Sequence, residues 1–292
     1  MTYQILYNPL AGNGFGLTRV QELKSVLTDG EVVLCDIREI GDIKSFLNEF
    51  SKEDVLILSG GDGTINRFVN DTDGANYPEQ LYYYPTGSGN DFLRDAPPDE
   101  RGLVKLNRYI KDLPVVTVKN KTYRFLNGIG YGIDGYCCEV GDELRRKSDK
   151  PINYTSIAIK GLLFYYKPTH ATVTVDGQTY EFDKVWLAPT MNGRHYGGGM
   201  MIAPEQDRLN SERELTLVVL HGSGKLKTLC VFPSIFKGEH IKHKDIFTLL
   251  RGKSVCVKFD RPVALQIDGE TVLDVSEYTV QAAVPAKEKA QV

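Results

Sequence analysis

The rhythm of apolar and polar positions changes once along this chain, near residue 113. Before that point, strand-length apolar runs alternate with helical ones. Tyr3 to Tyr7 reads as a first strand, ended by the turn Asn8-Pro9-Leu10-Ala11-Gly12, and Leu17, Val20, Leu23 and Leu27 then recur at helical spacing. A second strand, Val32 to Ile37, precedes Ile43, Phe46, Leu47 and Phe50, which share one face of a helix. Val55 to Leu58 is wholly apolar, as a central parallel strand covered on both sides should be, and a helical stretch over Ile65 to Asn70 follows it. A fourth strand, Leu81 to Tyr84, runs into Pro85-Thr86-Gly87-Ser88-Gly89. Such alternation predicts a three-layer α/β domain with a parallel sheet over residues 1–112.

Residues 113–292 follow a shorter period. VVTVKNKTYRF, ATVTVDGQTYEF, LTLVVL, SVCVKF and VALQIDGETV alternate apolar and polar positions, with hairpin turns expected at Asn120-Lys121 and Asp176-Gly177. These segments predict an antiparallel β-sandwich or barrel, interrupted by helices around Tyr136 to Arg146 and Tyr154 to Tyr166. The Pro97-Pro98 region and the segment after it make the crossing between domains, and a polar end, AKEKAQV, follows Pro285 with the reach to pack back on the first domain.

Bulk properties narrow the function classes. With 292 residues, 41% of them hydrophobic and 25% charged, the chain has apolar material for two cores and is neither disordered nor collagen-like. A formal charge of −3 argues against a nucleic-acid binder working through a dominant basic field. Cys35, Cys137, Cys138, Cys230 and Cys256 form no CxxC pair and are expected to be reduced packing residues in a cytoplasmic protein. The amino terminus reaches a Gly/Pro turn after one strand's length of apolar residues, too short for a signal-peptide core or a membrane span. Any contact with a membrane is therefore expected to be peripheral.

The sharpest chemical feature is Ser59-Gly60-Gly61-Asp62-Gly63-Thr64, between a buried strand and a helix. Glycines at a strand's carboxyl end let backbone N–H groups close on an oxyanion, and the helix start adds a favourable dipole. Asp62 changes the picture, because a bare carboxylate repels phosphate unless a divalent cation bridges the two or the acid takes a proton. Mg²⁺ and transfer chemistry are thus expected here; the alternative is a tight turn in which Asp62 only caps the helix. Thr86-Gly87-Ser88-Gly89-Asn90-Asp91 repeats the design at the end of the fourth strand, with glycines, hydroxyl and amide donors, and a helix start at Asn90 or Asp91. With Asn8-Pro9 and Ala11-Gly12-Asn13-Gly14, three polar glycine turns fall at the carboxyl ends of parallel strands, where open α/β sheets bind ligands.

The ordered blocks YNPLAG, LSGGDGTIN and PTGSGNDFLR, continued by FLNGIGYGIDG, TMNGRHYGGGMMIAP and QIDGE, resemble the diacylglycerol kinase catalytic-domain family, which includes bacterial lipid kinases and is related to sphingosine kinases. The resemblance spreads over nearly the whole chain. It implies a nucleotide-binding domain over 1–112 and a lipid-substrate domain over 113–292. ATP is then held between them by Asn8, by the segment Gly61, Asp62, Gly63, Thr64, Ile65 and Asn66, and by Thr86, with Gly87 and Asn90 beside it. It implies transfer of the γ-phosphate with Mg²⁺ to a lipid hydroxyl, a diacylglycerol being the first acceptor to try, by a peripheral enzyme of the cytoplasm that is compatible with a homodimer. Glu270 of Asp268-Gly269-Glu270 becomes the general base under this resemblance; from the residues alone the same tripeptide reads rather as a hairpin turn with a solvated carboxylate.

Two positions depart from the family pattern. Arg67 stands where an acid commonly follows the Asn of the GGDGT block. The structural Mg²⁺ site of bacterial members maps onto Leu209, Glu212 and Glu214, with Glu212 replacing an Asp and lengthening the ligand by one methylene. Weaker features are the apolar run Leu162 to Tyr166 between Lys160 and Lys167, which fits either a lipid contact or a buried helix with snorkelling lysines. The charge runs Arg145-Arg146-Lys147 and Lys237 to Lys244 fit an anionic lipid surface or plain solvated faces. The histidines lack metal-ligand spacing and receive no catalytic role. The rival readings are an NAD kinase-like enzyme, which also uses a GGDGT turn, and a non-catalytic nucleotide or lipid sensor motivated by Arg67 and Glu212. A dinucleotide oxidoreductase is disfavoured, since Gly12-Asn13-Gly14-Phe15-Gly16 lacks GxGxxG spacing.

Overall fold

A computed structural model describes residues 1–73, 75–87, 89–148 and 152–283. Ser88 of the second glycine turn and the tail after Pro285 lie outside the described residues. The chain divides into two compact units, Met1–Leu113 and Pro114–Val292.

In the first unit the elements follow in the order β1 (Thr2–Tyr7), α1 (Ala11–Gly14), α2 (Gly16–Val26), β2 (Glu31–Asp36), α3 (Ile43–Asn48), β3 (Val55–Gly60), α4 (Asp62–Asp71), β4 (Leu81–Pro85), β5 (Val104–Lys105) and α5 (Asn107–Ile110). The strands lie in the order β2-β1-β3-β4-β5. β1 pairs in parallel with β2 and β3, and β3 with β4, while β5 runs antiparallel to β4. That last strand is the addition to the expected parallel sheet. The chain leaves β1 toward one side of the sheet and returns through β3 on the other. The topological switch point, where open α/β sheets receive ligands, therefore falls at the carboxyl ends of β1 and β3. All six residues of β3 are buried, which matches their unbroken apolar run and fixes the strand as the centre of the unit. Val20, Leu23 and Leu27 on and just after α2 pack with Tyr3, Ile5 and Ile57 in one core. The helix after β2 stops at Asn48, so Phe50 lies beyond it.

The second unit comprises β6 (Val115–Val118), β7 (Lys121–Arg124), β8 (Gly128–Tyr131), α6 (Ile133–Lys147), α7 (Tyr154–Lys160), a π-helical turn over Gly161–Tyr165, β9 (Thr169–Val175), β10 (Gln178–Val185), β11 (Thr190–Met191), β12 (Leu215–Leu220), α8 (Lys225–Val231), β13 (Phe247–Gly252), β14 (Ser254–Ile267) and β15 (Glu270–Gln281). Its strands form an antiparallel sheet in the order β13-β12-β11-β8-β14-β15-β6-β7, with β9 bridging β14 and β10. The fourteen-residue β14 organises this unit by pairing with β8, β9 and β15 along its length. The β6–β7 hairpin turns at Lys119-Asn120, one residue earlier than the Asn120-Lys121 pair expected. Both turn residues have positive φ, 50° and 61°, as a turn matching the strand twist requires. Asp176-Gly177 and Asp268-Gly269 make the same kind of turn, with φ of 47° and 84° and of 47° and 97°. The core gathers Trp186, Tyr131, Phe259 and Tyr278, all nearly fully buried, with the Tyr131 and Phe259 rings stacked at 3.9 Å.

Candidate active site

In the first unit the candidate site grows from the end of β3. Gly60 and Gly61 let the chain leave the sheet and start α4 immediately, with Gly61 as N-cap in extended conformation and Asp62 in the first turn. The glycines here divide by purpose. A Cβ at Gly87 would lie 2.4 Å from the Gly61 Cα, one at Gly12 would lie 2.3 Å from the Thr86 carbonyl oxygen, and one at Gly16 would lie 2.2 Å from that of Asn8. These glycines make close approach possible between the turns after β1, β3 and β4. Gly63 and Gly89 instead have open space where a Cβ would stand, so their backbone can be approached from outside.

Hydrogen bonds lock the three turns together. Asn8 N–H donates to the Ser59 carbonyl at 3.0 Å, and Thr86 and Gly87 N–H both donate to that of Gly60 at 2.8 and 2.9 Å. The Thr86 hydroxyl is fully buried against the Ser59 hydroxyl at 3.3 Å. Asn90 donates from Nδ2 to the Gly87 carbonyl at 3.0 Å, and the buried Tyr83 hydroxyl donates to that of Gly60 at 2.9 Å. Burial, with the Asp62 charge nearby, holds the Tyr83 phenol well above its ordinary range, so it stays a neutral donor. Asn8 Oδ1 accepts from Leu10 N–H at 3.0 Å, which shapes the first turn.

Asp62 does not cap its own helix. Its Oδ2 accepts from Asp91 N–H at 2.7 Å and its Oδ1 from Phe92 N–H at 3.4 Å, tying the β3–α4 turn to the short 3₁₀ turn Phe92–Arg94. Thr64 packs its side chain where a Gly60 Cβ would stand, and Asn66 is buried one turn further on, accepting from Asn70 Nδ2 at its carbonyl, 2.9 Å. The structure thus gathers Asn8, Gly61, Asp62, Gly63, Thr64, Asn66, Thr86, Gly87 and Asn90 around one group of turns. Arg67 points elsewhere, exposed and paired with Asp71 at 3.3 Å along the outer face of α4. What this arrangement offers chemically is a set of backbone N–H groups at a helix amino terminus, suited to phosphate oxygens.

In the second unit the candidate is the β14–β15 hairpin. Asp268, at positive φ, turns its carboxylate onto three successive N–H groups, those of Leu126, Asn127 (2.8 Å) and Gly128 (3.0 Å). Its own N–H donates to the Gly128 carbonyl, and Gly269 N–H donates to Gln266 Oε1. The FLNG segment is held from the other side as well. Arg208, buried, donates to the Leu126 carbonyl and to Asn127 Oδ1, both at 3.1 Å, and Asn192 Nδ2 donates to the Leu126 carbonyl at 2.8 Å. On this rigid tip Glu270 opens β15 opposite Ile267, exposed to solvent. A carboxylate so mounted can accept a proton.

Of the expected metal ligands Leu209, Glu212 and Glu214, the last two are engaged with other partners. Glu212 is exposed and reaches outward to Lys253 at 3.5 Å. Asn210 holds the middle of the loop: its Nδ2 donates to the carbonyls of Asp207 (2.6 Å) and Glu214 (3.0 Å), and its Oδ1 accepts from Glu214 N–H at 2.9 Å. Gln206 Nε2 donates to the same Glu214 carbonyl at 2.9 Å. The Glu214 carbonyl is thus already met by two side-chain amides and the Glu212 carboxylate by Lys253, an arrangement that fits a structural Mg²⁺ poorly. No group of three or more His, Cys, Asp or Glu among the described residues is placed to hold a metal ion.

Several residues of these sites carried no signal in the chain itself. Asp268 read only as a turn residue. Arg208 follows the TMNGRHYGGGMMIAP block and carries no motif of its own. Asp134, in the GIDG block, is buried near the start of α6 and accepts from the Tyr196 hydroxyl at 2.6 Å; burial pushes its carboxyl up to about 7. A clue existed in each case, since all sit inside or beside the glycine-bearing blocks.

Comparison with known proteins places this geometry in a family. Residues 2–115 match the diacylglycerol kinase catalytic domain, and residues 127–286 match the YegS C-terminal NAD kinase beta sandwich-like domain. The chain belongs to the diacylglycerol kinase catalytic-domain family. Among its relatives are a Bacillus subtilis (strain 168) protein provisionally named lipid kinase YtlR, 27% identical over 91% of this chain and 92% of its own length, and the diacylglycerol kinase of Mycobacterium tuberculosis, 25% identical over 87% and 84%. A solved structure of a diacylglycerol kinase from Bacillus anthracis shares the fold with a TM-score of 0.63 at 23% identity, covering 97% of this chain and 93% of that one.

Proposed function

We propose that the protein is an ATP-dependent lipid kinase that transfers the γ-phosphate to the hydroxyl of a diacylglycerol-like lipid. The observation that carries this reading is the convergence of three glycine turns at the switch point of the first unit, where α4 starts at Asp62 and the space beside Gly63 and Gly89 is open. The relatives named diacylglycerol kinase support the acceptor class. In this reading the N–H groups at the start of α4, from Gly61 to Gly63, orient the triphosphate, and Glu270 accepts the lipid hydroxyl's proton as the oxygen attacks the γ-phosphorus and ADP leaves. Mg²⁺, when bound with the nucleotide, supplies charge neutralisation on the phosphates. No helix among the described residues is long and apolar enough to cross a membrane, so the reading requires the lipid to be met at the membrane surface.

Phosphoryl transfer to NAD is the second reading, favoured by the NAD kinase-like character of residues 127–286. One experiment separates the two. The full chain is incubated with γ-labelled ATP, Mg²⁺ and a panel of lipids in mixed micelles, with NAD in a parallel reaction. Labelled phosphatidic acid or another phospholipid product is expected; label on NAD alone would replace the lipid reading, and label on neither acceptor would leave a nucleotide-binding protein without this activity.

A further inference from the structure

The second unit exposes apolar side chains where its fold does not need them. α7 runs into the π-helical turn Gly161–Tyr165, an uncommon geometry that accumulates at functional sites. The inner side of this segment is ordinary core, with Leu162 fully buried and Tyr166 nearly so. The outer side carries Phe164 at 71% and Tyr165 at 67% exposure, their rings edge to face at 6.3 Å. α8 adds Leu226, 75% exposed, and the two segments are joined by Lys225, whose Nζ donates to the Leu163 carbonyl at 2.8 Å.

The two segments that carry this patch are themselves basic and free of acids. The segment 152–168 contains Lys160 and Lys167 and no carboxylate; the segment 222–237 contains Lys225, Lys227 and Lys237 and again none. Lys160, Lys167, Lys225 and Lys227 are all exposed. Of these, Lys227 is paired with Asp245. Arg261 lies over the Tyr166 ring at 5.4 Å and donates to the Lys167 carbonyl, extending the basic edge into a cavity of about 330 Å³ that also bears Glu139 and Asp274. In a chain of net charge −3, two acid-free basic segments around three exposed apolar side chains form a local exception. Amphipathic aromatic rings settle at the level of lipid headgroups, and lysines beside them are drawn to anionic lipid.

We propose that Phe164, Tyr165 and Leu226, ringed by Lys160, Lys167 and Lys225, form the surface by which this protein docks on an anionic phospholipid bilayer. The inference rests on the lipid-kinase reading for its purpose, but docking is measured without nucleotide, so each can fail alone. The full chain is sedimented with vesicles of phosphatidylcholine and with vesicles containing phosphatidylglycerol. Binding at least about tenfold tighter to the anionic vesicles is expected, weakening with salt. The double variant Phe164→Glu, Leu226→Glu should lose that binding by about tenfold or more while keeping the wild-type melting temperature, because both side chains are outside the core. Lys160→Glu with Lys167→Glu should abolish the preference for anionic vesicles. Unchanged vesicle binding in the apolar variant overturns the proposal. So does a variant that keeps vesicle binding but changes oligomeric state by size-exclusion chromatography, since the patch would then join two copies of the chain. Docking lost in the variants of a protein that phosphorylates no lipid would uphold this surface and remove the kinase reading.

Discussion

Each unit places an Asp-Gly pair just beyond the end of a strand, and each spends the aspartate on a neighbouring loop. Asp62 accepts from the N–H groups of Asp91 and Phe92; Asp268 accepts from those of Leu126, Asn127 and Gly128. The difference lies in the element that follows the glycine. After Gly63 the chain is helical, so what it presents is a helix start rich in backbone donors. After Gly269 the chain is a strand, so the next side chain, Glu270, stands exposed at the tip of a hairpin. The same pair anchored in the same way therefore yields a donor site in one unit and an acceptor group in the other. A kinase needs both: donors for phosphate oxygens and an acceptor for the hydroxyl proton.

The strongest way to break this comparison is Glu270→Gln. A positioned general base contributes about 10² to 10⁴ in rate, so kcat on the confirmed lipid should fall by about 10² or more. Nucleotide affinity and melting temperature should hold, because Glu270 is exposed and the hairpin is anchored by Asp268 instead. Steady-state kinetics and nucleotide titration check this; a kcat within about twofold of wild type would make Glu270 a turn residue, with a threshold far below any general-base contribution.

The two anchors should fail differently from Glu270 and from each other. Asp62→Asn can keep one of two N–H partners and sets an amide donor against the other. Turnover should drop by about tenfold or more, nucleotide binding should weaken, and stability should fall by about 1 kcal/mol. Asp268→Ala leaves three N–H groups without their carboxylate and should cost about 2 kcal/mol or more. Its nucleotide binding should be intact, since that anchor lies wholly within the second unit. Denaturant unfolding beside nucleotide titration separates the pair. Equal loss of nucleotide affinity in both variants would contradict the division of labour.

Why these roles were only partly legible in the chain follows from the same residues. The apolar run Val55 to Leu58 and the recurrence of Val20, Leu23 and Leu27 report burial directly, because a fully covered strand and a one-faced helix leave unmistakable periods. The glycine turns were legible too, since few residues but glycine allow backbones to approach as Gly61 and Gly87 do. What Asp62 touches was not, because its partners are N–H groups at Asp91 and Phe92, far along the chain, and an N–H carries no side-chain signature. The Asp268 anchor, spanning 140 residues or more, was hidden for the same reason, as was the burial of Arg208. The short β5, antiparallel at the sheet edge, is too brief to show alternation.

Asp134 offers a pH test confined to the second unit. Its carboxyl sits near 7 in the fold, raised by burial and partly offset by the Tyr196 hydrogen bond, against an ordinary value of 3.8. At pH below 3.8 both folded and unfolded chains carry the proton and burial of this group costs nothing. Between that value and about 7 the unfolded chain ionises while the folded one does not, so stability falls as pH rises, and above 7 the full penalty applies. Asp134→Asn stays neutral and can still accept from Tyr196, so it should be more stable than wild type by about 4 kcal/mol at pH 8, with the gap narrowing toward pH 5. Urea unfolding of both proteins across that range checks the sign; a gap that widens on acidification would place an ionised Asp134 in the fold.

The smallest effect is expected where the comparison would predict a metal and the residues supply an amide. Asn210 already joins the Glu214 carbonyl, an expected ligand, to that of Asp207, and Glu212 is turned toward Lys253. In the absence of nucleotide, replacing excess Mg²⁺ by EDTA should therefore move the melting temperature by less than about 1 °C, well under what the loss of 1 kcal/mol would cause. Asn210→Asp makes the reverse argument testable. The substitution sets a negative charge against two carbonyl oxygens, so the variant should melt lower than wild type in EDTA. Its carboxylate and carbonyls then form the all-oxygen environment that Mg²⁺ and Ca²⁺ accept, so adding either cation should restore the lost stability. Wild type losing several degrees in EDTA would mean that Glu212 leaves Lys253 to ligate a cation and that the amide arrangement is not the one that holds this loop.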